Sequence, residues 1–203
     1  MRHTGHNMMG NSVIEAARIV RDGGVVAFPT DTVYGLACDM KNDAAVRRIY
    51  AIKGRPAHLP LIVMLAGASQ WSLAAASATP YALEMMEKFW PGALTIILPA
   101  RPELPELVLG GGSTVGLRIP DHNIARELLH LAARPLATTS ANRSGNPAPD
   151  IATWVAEELG AEVDYILDGG TCPGGMASTV LNCAIEPPCI LRQGPITAEQ
   201  LGL

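Results

Sequence analysis

Short apolar runs, each closed by proline, glycine or a polar cluster and separated by stretches of helical period, constrain this chain to an α/β fold. Residues 23–28, 60–65, 94–98, 114–118, 135–139 and 163–167 read as strands, with a further extended piece at 34–38 and late strands at 178–181 and 190–192. Between them Val13, Ile14, Ala17 and Val20 recur at helical spacing, as do Val46, Ile49, Tyr50 and Ile52. Helices are also expected within 69–90, broken at Pro80, at 121–133, at 152–159 and from Thr197. Asn11 or Ser12, Asn42 or Asp43, Asp121 and Asp150 stand where helix N-caps are needed, and 102–112 reads as an exposed hairpin or loop. The alternation has no repeat period, so it predicts a single open twisted sheet mostly covered by helices. Connections between 163 and 192 are too short for helical crossovers, which makes the sheet mixed.

The loops that leave these strands carry the chemistry. Thr30, Asp31, Thr32 and Tyr34 put two hydroxyls, a carboxylate and a phenol just past a buried strand whose pairing Pro29 ends. Residues 140–145, Ser-Ala-Asn-Arg-Ser-Gly, form a second polar loop after a strand. Such strand ends are where α/β proteins bind ligands, although the first loop also suits an ordinary turn. Lys53, Arg55, Arg118 and Arg192 each lie at or past an element's end in a chain of formal charge −4. As a set they suit a triphosphate, helped by the hydroxyls and amides of Thr114, Ser140, Asn142 and Ser178; singly, each reads as a solvated cation. The chain has no G-x-x-x-x-G-K-[ST], G-x-G-x-x-G, G-x-S-x-G, H-x-x-x-H or H-E-x-x-H. P-loop, Rossmann, serine-hydrolase and zinc chemistries are therefore disfavoured, whereas a magnesium ion riding on a nucleotide needs little protein ligation.

At 203 residues and 48% hydrophobic, the chain buries enough core to need no disulfide or metal. Cys38, Cys172, Cys183 and Cys189 match no zinc spacing and read as mostly buried free thiols of a reducing compartment. No uninterrupted apolar run approaches 18 residues, which points to a soluble, cytoplasmic protein with no membrane partner. Residues 1–10, with His3 and His6, read as a flexible leader, and 11–203 as one domain.

The stretches "FPTDTVYGL", "KGRP", "STVGLRIP", "TTSANRSG", "ASTV" and "LRQGPI" resemble, in that order, the motifs of the threonylcarbamoyl-AMP synthases of the TsaC or YrdC family. The resemblance runs from about Val13 to Ile196 and is to the short form without an extra C-terminal domain. It implies a YrdC-like (RibB-like) open twisted sheet with a concave groove. The implied reaction turns L-threonine, bicarbonate and ATP into threonylcarbamoyl-AMP and pyrophosphate, with Mg2+ on the nucleotide and no protein-bound metal. The product would pass to the tRNA threonylcarbamoyl transferase complex, with no stable nucleic-acid binding by the chain itself.

By the same resemblance, Thr32, Arg118 and Ser178 hold threonine, while Lys53, Arg55, Thr114, Ser140, Asn142 and Arg192 face ATP, with Lys53 and Arg55 catalytic. This chain departs from many relatives in having Leu59 and Met64, Ala148 in place of a serine, and Arg-Gln-Gly at 192–194. A binding paralogue without catalysis, or one using another acceptor, is the alternative within the family. An RNA-binding module is the alternative outside it, and the acidic balance with 4% aromatics argues against that.

Overall fold

A computed structural model of the chain describes residues 8–203. Its elements begin where local chemistry allows. Ser12 accepts a hydrogen bond from the Glu15 amide, Asn42 from Ala45 and Thr79 from Ala82, each N-capping a helix. In chain order the elements are β1 (Met8–Gly10), α1 (Val13–Arg21), β2 (Val26–Phe28), β3 (Gly35–Asp39), α2 (Asp43–Lys53), β4 (Ile62–Met64), a 3-10 helix (Ala68–Leu73), α3 (Pro80–Phe89) and β5 (Leu94–Pro99). They continue with α4 (Glu106–Leu109), β6 (Thr114–Arg118), α5 (Asn123–Ala132), β7 (Leu136–Ser140), α6 (Ala152–Leu159), β8 (Tyr165–Leu167), β9 (Thr179–Asn182), β10 (Cys189–Arg192) and α7 (Ala198–Leu201).

The described strands form one open sheet in the order β1-β8-β2-β3-β7-β4-β6-β5-β9-β10. Four neighbouring pairs are parallel (β1·β8, β2·β8, β4·β6 and β5·β9) and the others antiparallel, so the sheet is mixed. Alternation along the strands sorts side chains onto two faces. On one face Leu36, Val63, Ile96, Leu117 and Ala137 pack against α2, α3 and α6 through Ile49, Met85 and Val155. On the other, Val26, Phe28, Ala37 and Leu136 pack against α1 and α5. Those two helices cover the β8-β2-β3 end, and the second face stays open over β4, β6, β5 and β9.

Four local expectations change. Residues 102–112 are no open loop: Leu104 and Val108 are buried, and the chain between them turns into α4. Asp121 does not cap α5. His122 takes the N-cap position in an extended conformation, without a side-chain cap bond. Asp150 does not cap α6: the N-cap falls at Ile151, and the Asp150 carbonyl accepts from the Cys172 amide at 2.8 Å. The flexible leader expected over residues 1–10 ends early, since Met8–Gly10 pairs in parallel with β8 and Asp168 donates to the Gly10 carbonyl at 2.7 Å. Its remaining residues, with His3 and His6, lie outside the described residues. All four cysteines are free, and Cys38, Cys172 and Cys183 are buried.

Candidate functional site

The open half of the second face is the floor of a cavity of about 270 Å3. Residues two apart on adjacent strands supply it: Ile62 and Met64 from β4, Thr114, Gly116 and Arg118 from β6, Thr95 and Ile97 from β5, Thr138 and Ser140 from β7. Gly116 deepens the floor, because a Cβ there would stand 3.2 Å from Thr95 Cγ2. The 30–34 loop, Arg55, Ala148, Ser178 and Arg192 form the walls.

At one end the groups hold each other rigidly. Thr30 Oγ1 donates to the Val33 carbonyl at 2.6 Å and accepts from the amides of Thr32 and Val33, which locks the loop after β2. Arg118 donates from Nη1 to Thr32 Oγ1 at 2.9 Å, from Nη2 to Asp31 Oδ1 at 2.7 Å and from Nε to the Gly92 carbonyl at 2.9 Å. The Arg118 and Asp31 side chains are only 4% and 12% exposed, so this is a buried pair. Burial lowers the Arg118 pKa below the ordinary guanidinium value, and Asp31 opposes that. Three of its five N–H groups are used, which leaves two for a ligand. Ser178 lies beside this end, its hydroxyl 2.8 Å from Thr95 Oγ1.

The other end is looser. Arg192 reaches in from the Ser178 side, donating to the Ser178 carbonyl from Nε and Nη2 at 3.0 and 2.9 Å and to its hydroxyl at 3.2 Å, and Arg55 donates to the Pro60 carbonyl at 2.9 Å. Among the described residues neither pairs with a carboxylate. Burial first, then Arg118 and Arg55, push the Arg192 pKa below its usual value. Guanidinium groups that repel one another in this way around one cavity make a local anion site in an acidic chain. Thr114 and Ser140 add hydroxyls to this end.

Seven of the nine residues picked out from the sequence therefore line one cavity: Thr32, Arg55, Thr114, Arg118, Ser140, Ser178 and Arg192. Lys53 and Asn142 do not. Lys53 is buried beneath the loop after β7, where its ammonium donates to the carbonyls of Ser140 and Asn142 at 2.7 and 2.6 Å. The last turn of α2 aims it at those carbonyls, and burial, then Arg55, lower its pKa to about 8. Asn142 turns inward too, donating to the carbonyls of Arg143 and Asn146. Thr95 and Thr138 also line the cavity without having been singled out by the sequence, and Thr30, noted only as part of its polar loop, lines it too. Thr138 carried a usable signal, standing two residues before Ser140 on the same strand face.

An open mixed sheet with a half-bare face under a cavity rich in hydroxyls and guanidinium groups defines an α/β domain built to hold a small anionic ligand. The profile of the Sua5/YciO/YrdC family, described as "Telomere recombination", matches residues 18–194, and the chain belongs to this family. It is similar to the threonylcarbamoyl-AMP synthase of Bacillus subtilis (strain 168), 46% identical over 190 residues, which are 93% of this chain and 55% of that protein. Its fold matches Pyrococcus abyssi Sua5 complexed with L-threonine at a TM-score of 0.91 and 39% identity, covering 96% of this chain and 58% of that one. It also matches E. coli YciO at 0.84 and 27% identity, covering 96% and 97%. The chain spans about half the length of the first curated relatives it matches.

Proposed function

We propose that the chain is an L-threonylcarbamoyladenylate synthase, a nucleotidyltransferase that makes threonylcarbamoyl-AMP and pyrophosphate from L-threonine, bicarbonate and ATP for tRNA modification. The observation that carries this reading is one cavity lined both by the preorganised Arg118 and Thr32 and by two arginines without carboxylate partners among the described residues, Arg55 and Arg192, with the hydroxyls of Thr114 and Ser140. The names of the curated relatives and the threonine-bound Sua5 support it.

In this reading the threonine carboxylate takes the free N–H groups of Arg118, and its hydroxyl lies toward Thr32 and Ser178. The amine condenses with bicarbonate to a carbamate, losing water. A carbamate oxygen then bonds to the α-phosphorus as the bridging P–O bond breaks, and pyrophosphate leaves with that electron pair. The phosphate charge is met by Arg55 and Arg192 and by the hydroxyls of Thr114 and Ser140, so catalysis is positioning and electrostatic stabilisation without a covalent enzyme intermediate. Lys53 and Asn142 act through the loop they hold and not by touching phosphate.

Mg2+ would arrive on the polyphosphate. Its preferred ligands are phosphate oxygens and water, and among the described residues no group of three or more His, Cys, Asp or Glu gathers to hold an ion. The reading also places the protein in the cytoplasm, handing its product to the tRNA threonylcarbamoyl transferase complex without stable tRNA binding of its own. No described helix is long and apolar enough to cross a membrane.

The test is pyrophosphate release from ATP with threonine and bicarbonate omitted in turn and serine as control. Release that needs both, with threonine preferred, is the expected result. ATP binding without release points to a non-catalytic member of the family, and absence of ATP binding defeats the proposal.

A further inference from the structure

The loop at residues 140–146 connects two residues that line the cavity, Ser140 and Ala148. It begins at Ser140, leads on to Ala148, and is stitched to Tyr34 at both ends: Ala141 donates to the Tyr34 carbonyl at 2.8 Å, and Tyr34 donates to the Pro149 carbonyl at 2.9 Å. Gly145, at φ +95°, lets the chain reverse inside it. The loop is gripped from two sides. From α2, Lys53 holds the carbonyls of Ser140 and Asn142, and its own carbonyl accepts from the Ser144 amide at 2.9 Å.

From α6, one oxygen of Glu158 bridges the turn, accepting from the Arg143 amide at 2.8 Å and from Asn146 Nδ2 at 2.6 Å. The Arg143 guanidinium is occupied elsewhere, on Glu162 and the Ile52 carbonyl, so Glu158 is spent on the backbone and amide of the turn. On the inner side Asn142 Nδ2 reaches the carbonyls of the same two residues, Arg143 and Asn146, at 2.9 and 2.7 Å. The turn is thus closed by Asn142 within and by Glu158 without, and Glu158 lines no part of the cavity.

We propose that Glu158 is a positioning residue for the nucleotide end of the cavity, fixing the turn that carries Ser140. This rests on the proposed adenylation, in which Ser140 faces ATP. A charged acceptor shared by two donors at the ends of a turn restrains it more than a neutral one does. The Glu158 carboxylate acts on Lys53 as well, its charge opposing the loss of the Lys53 proton that burial and Arg55 favour. Arg55, two residues further along the chain, and Glu158, on α6, are the charged groups that act on Lys53.

Two substitutions separate geometry from charge. Glu158→Ala removes both hydrogen bonds, and the KM for ATP is expected to rise about tenfold with that for threonine changed less than about twofold. Glu158→Gln keeps an acceptor oxygen but not the charge, so it restores most of the ATP KM while moving the alkaline limb of the pH profile, set by Lys53, to lower pH. Amide hydrogen exchange at Arg143 and Ser144 reads the turn without any turnover: protection is lost in the alanine variant and kept in the glutamine variant. An unchanged ATP KM, an equal rise in both KM values, or unchanged exchange in Glu158→Ala overturns the assignment. If the wild type releases no pyrophosphate, the proposed reaction fails, and the exchange result still decides whether Glu158 holds the turn.

Discussion

The two ends of the cavity answer different physical problems. Around Arg118 the groups are buried and pair with one another, so the site exists before a ligand arrives. Arg55 and Arg192 meet carbonyls and the Ser178 hydroxyl but, among the described residues, no carboxylate, and repulsion among the cations is left for a ligand to relieve. A small zwitterion with one carboxylate suits the first arrangement, because preorganised donors cost little to align. A polyphosphate suits the second, because unpaired guanidinium groups gain most from anionic oxygens.

The comparison breaks first at Arg118. Arg118→Ala strands the Asp31 carboxylate in a buried site, so unfolding by urea is expected to show a loss of about 3 kcal/mol together with loss of threonine-dependent turnover. A fully stable variant would mean that Asp31 finds water, and that this end is not closed. Among the loosely held cations, Arg192→Ala removes one without a carboxylate partner among the described residues. The ATP KM is expected to rise about tenfold with the melting temperature nearly unchanged. Equal damage to stability by both substitutions erases the distinction between the ends.

Lys53 sharpens it through pH. The folded pKa of about 8 lies below the ordinary 10.5, so between these values the unfolded chain binds a proton that the folded one has released. Stability from this residue therefore rises with pH across that window, and the wild type should gain on Lys53→Met in unfolding titrations. Turnover should move the opposite way, falling as pH climbs through about 8, because the neutral amine grips the Ser140 and Asn142 carbonyls less well. A flat alkaline limb would detach Lys53 from the nucleotide end. The smallest effect expected is from salt. Raising ionic strength should weaken ATP binding severalfold at the partly open end and leave threonine binding nearly constant at the buried one; parallel losses in titration calorimetry would show both ends equally wet.

Much of the architecture was legible from local pattern. Short apolar runs closed by proline, glycine or polar clusters placed most strands, hydroxyl or amide residues before helical repeats placed two caps to within a residue, at Ser12 and Asn42, and the last helix was placed from Thr197. The misplaced pieces depended on distant partners. Residues 106–109 form a helix because Val108, with Leu104 just before it, finds the core beside α2, and the chain at Asp150 is tied through its carbonyl to the Cys172 amide. Sequence pattern carries no information about contacts of that range.

For the site, the division is similar. Residue type and spacing by themselves determined which side chains are suited to anions and hydroxyl ligands, since those properties belong to each residue alone. Only the tertiary structure decided which of them meet. Arg118 and Arg192 enter from different strands of the same face, whereas Lys53, which looked like a phosphate ligand, sits beneath a loop because the last turn of α2 points at buried carbonyls that an ammonium can satisfy.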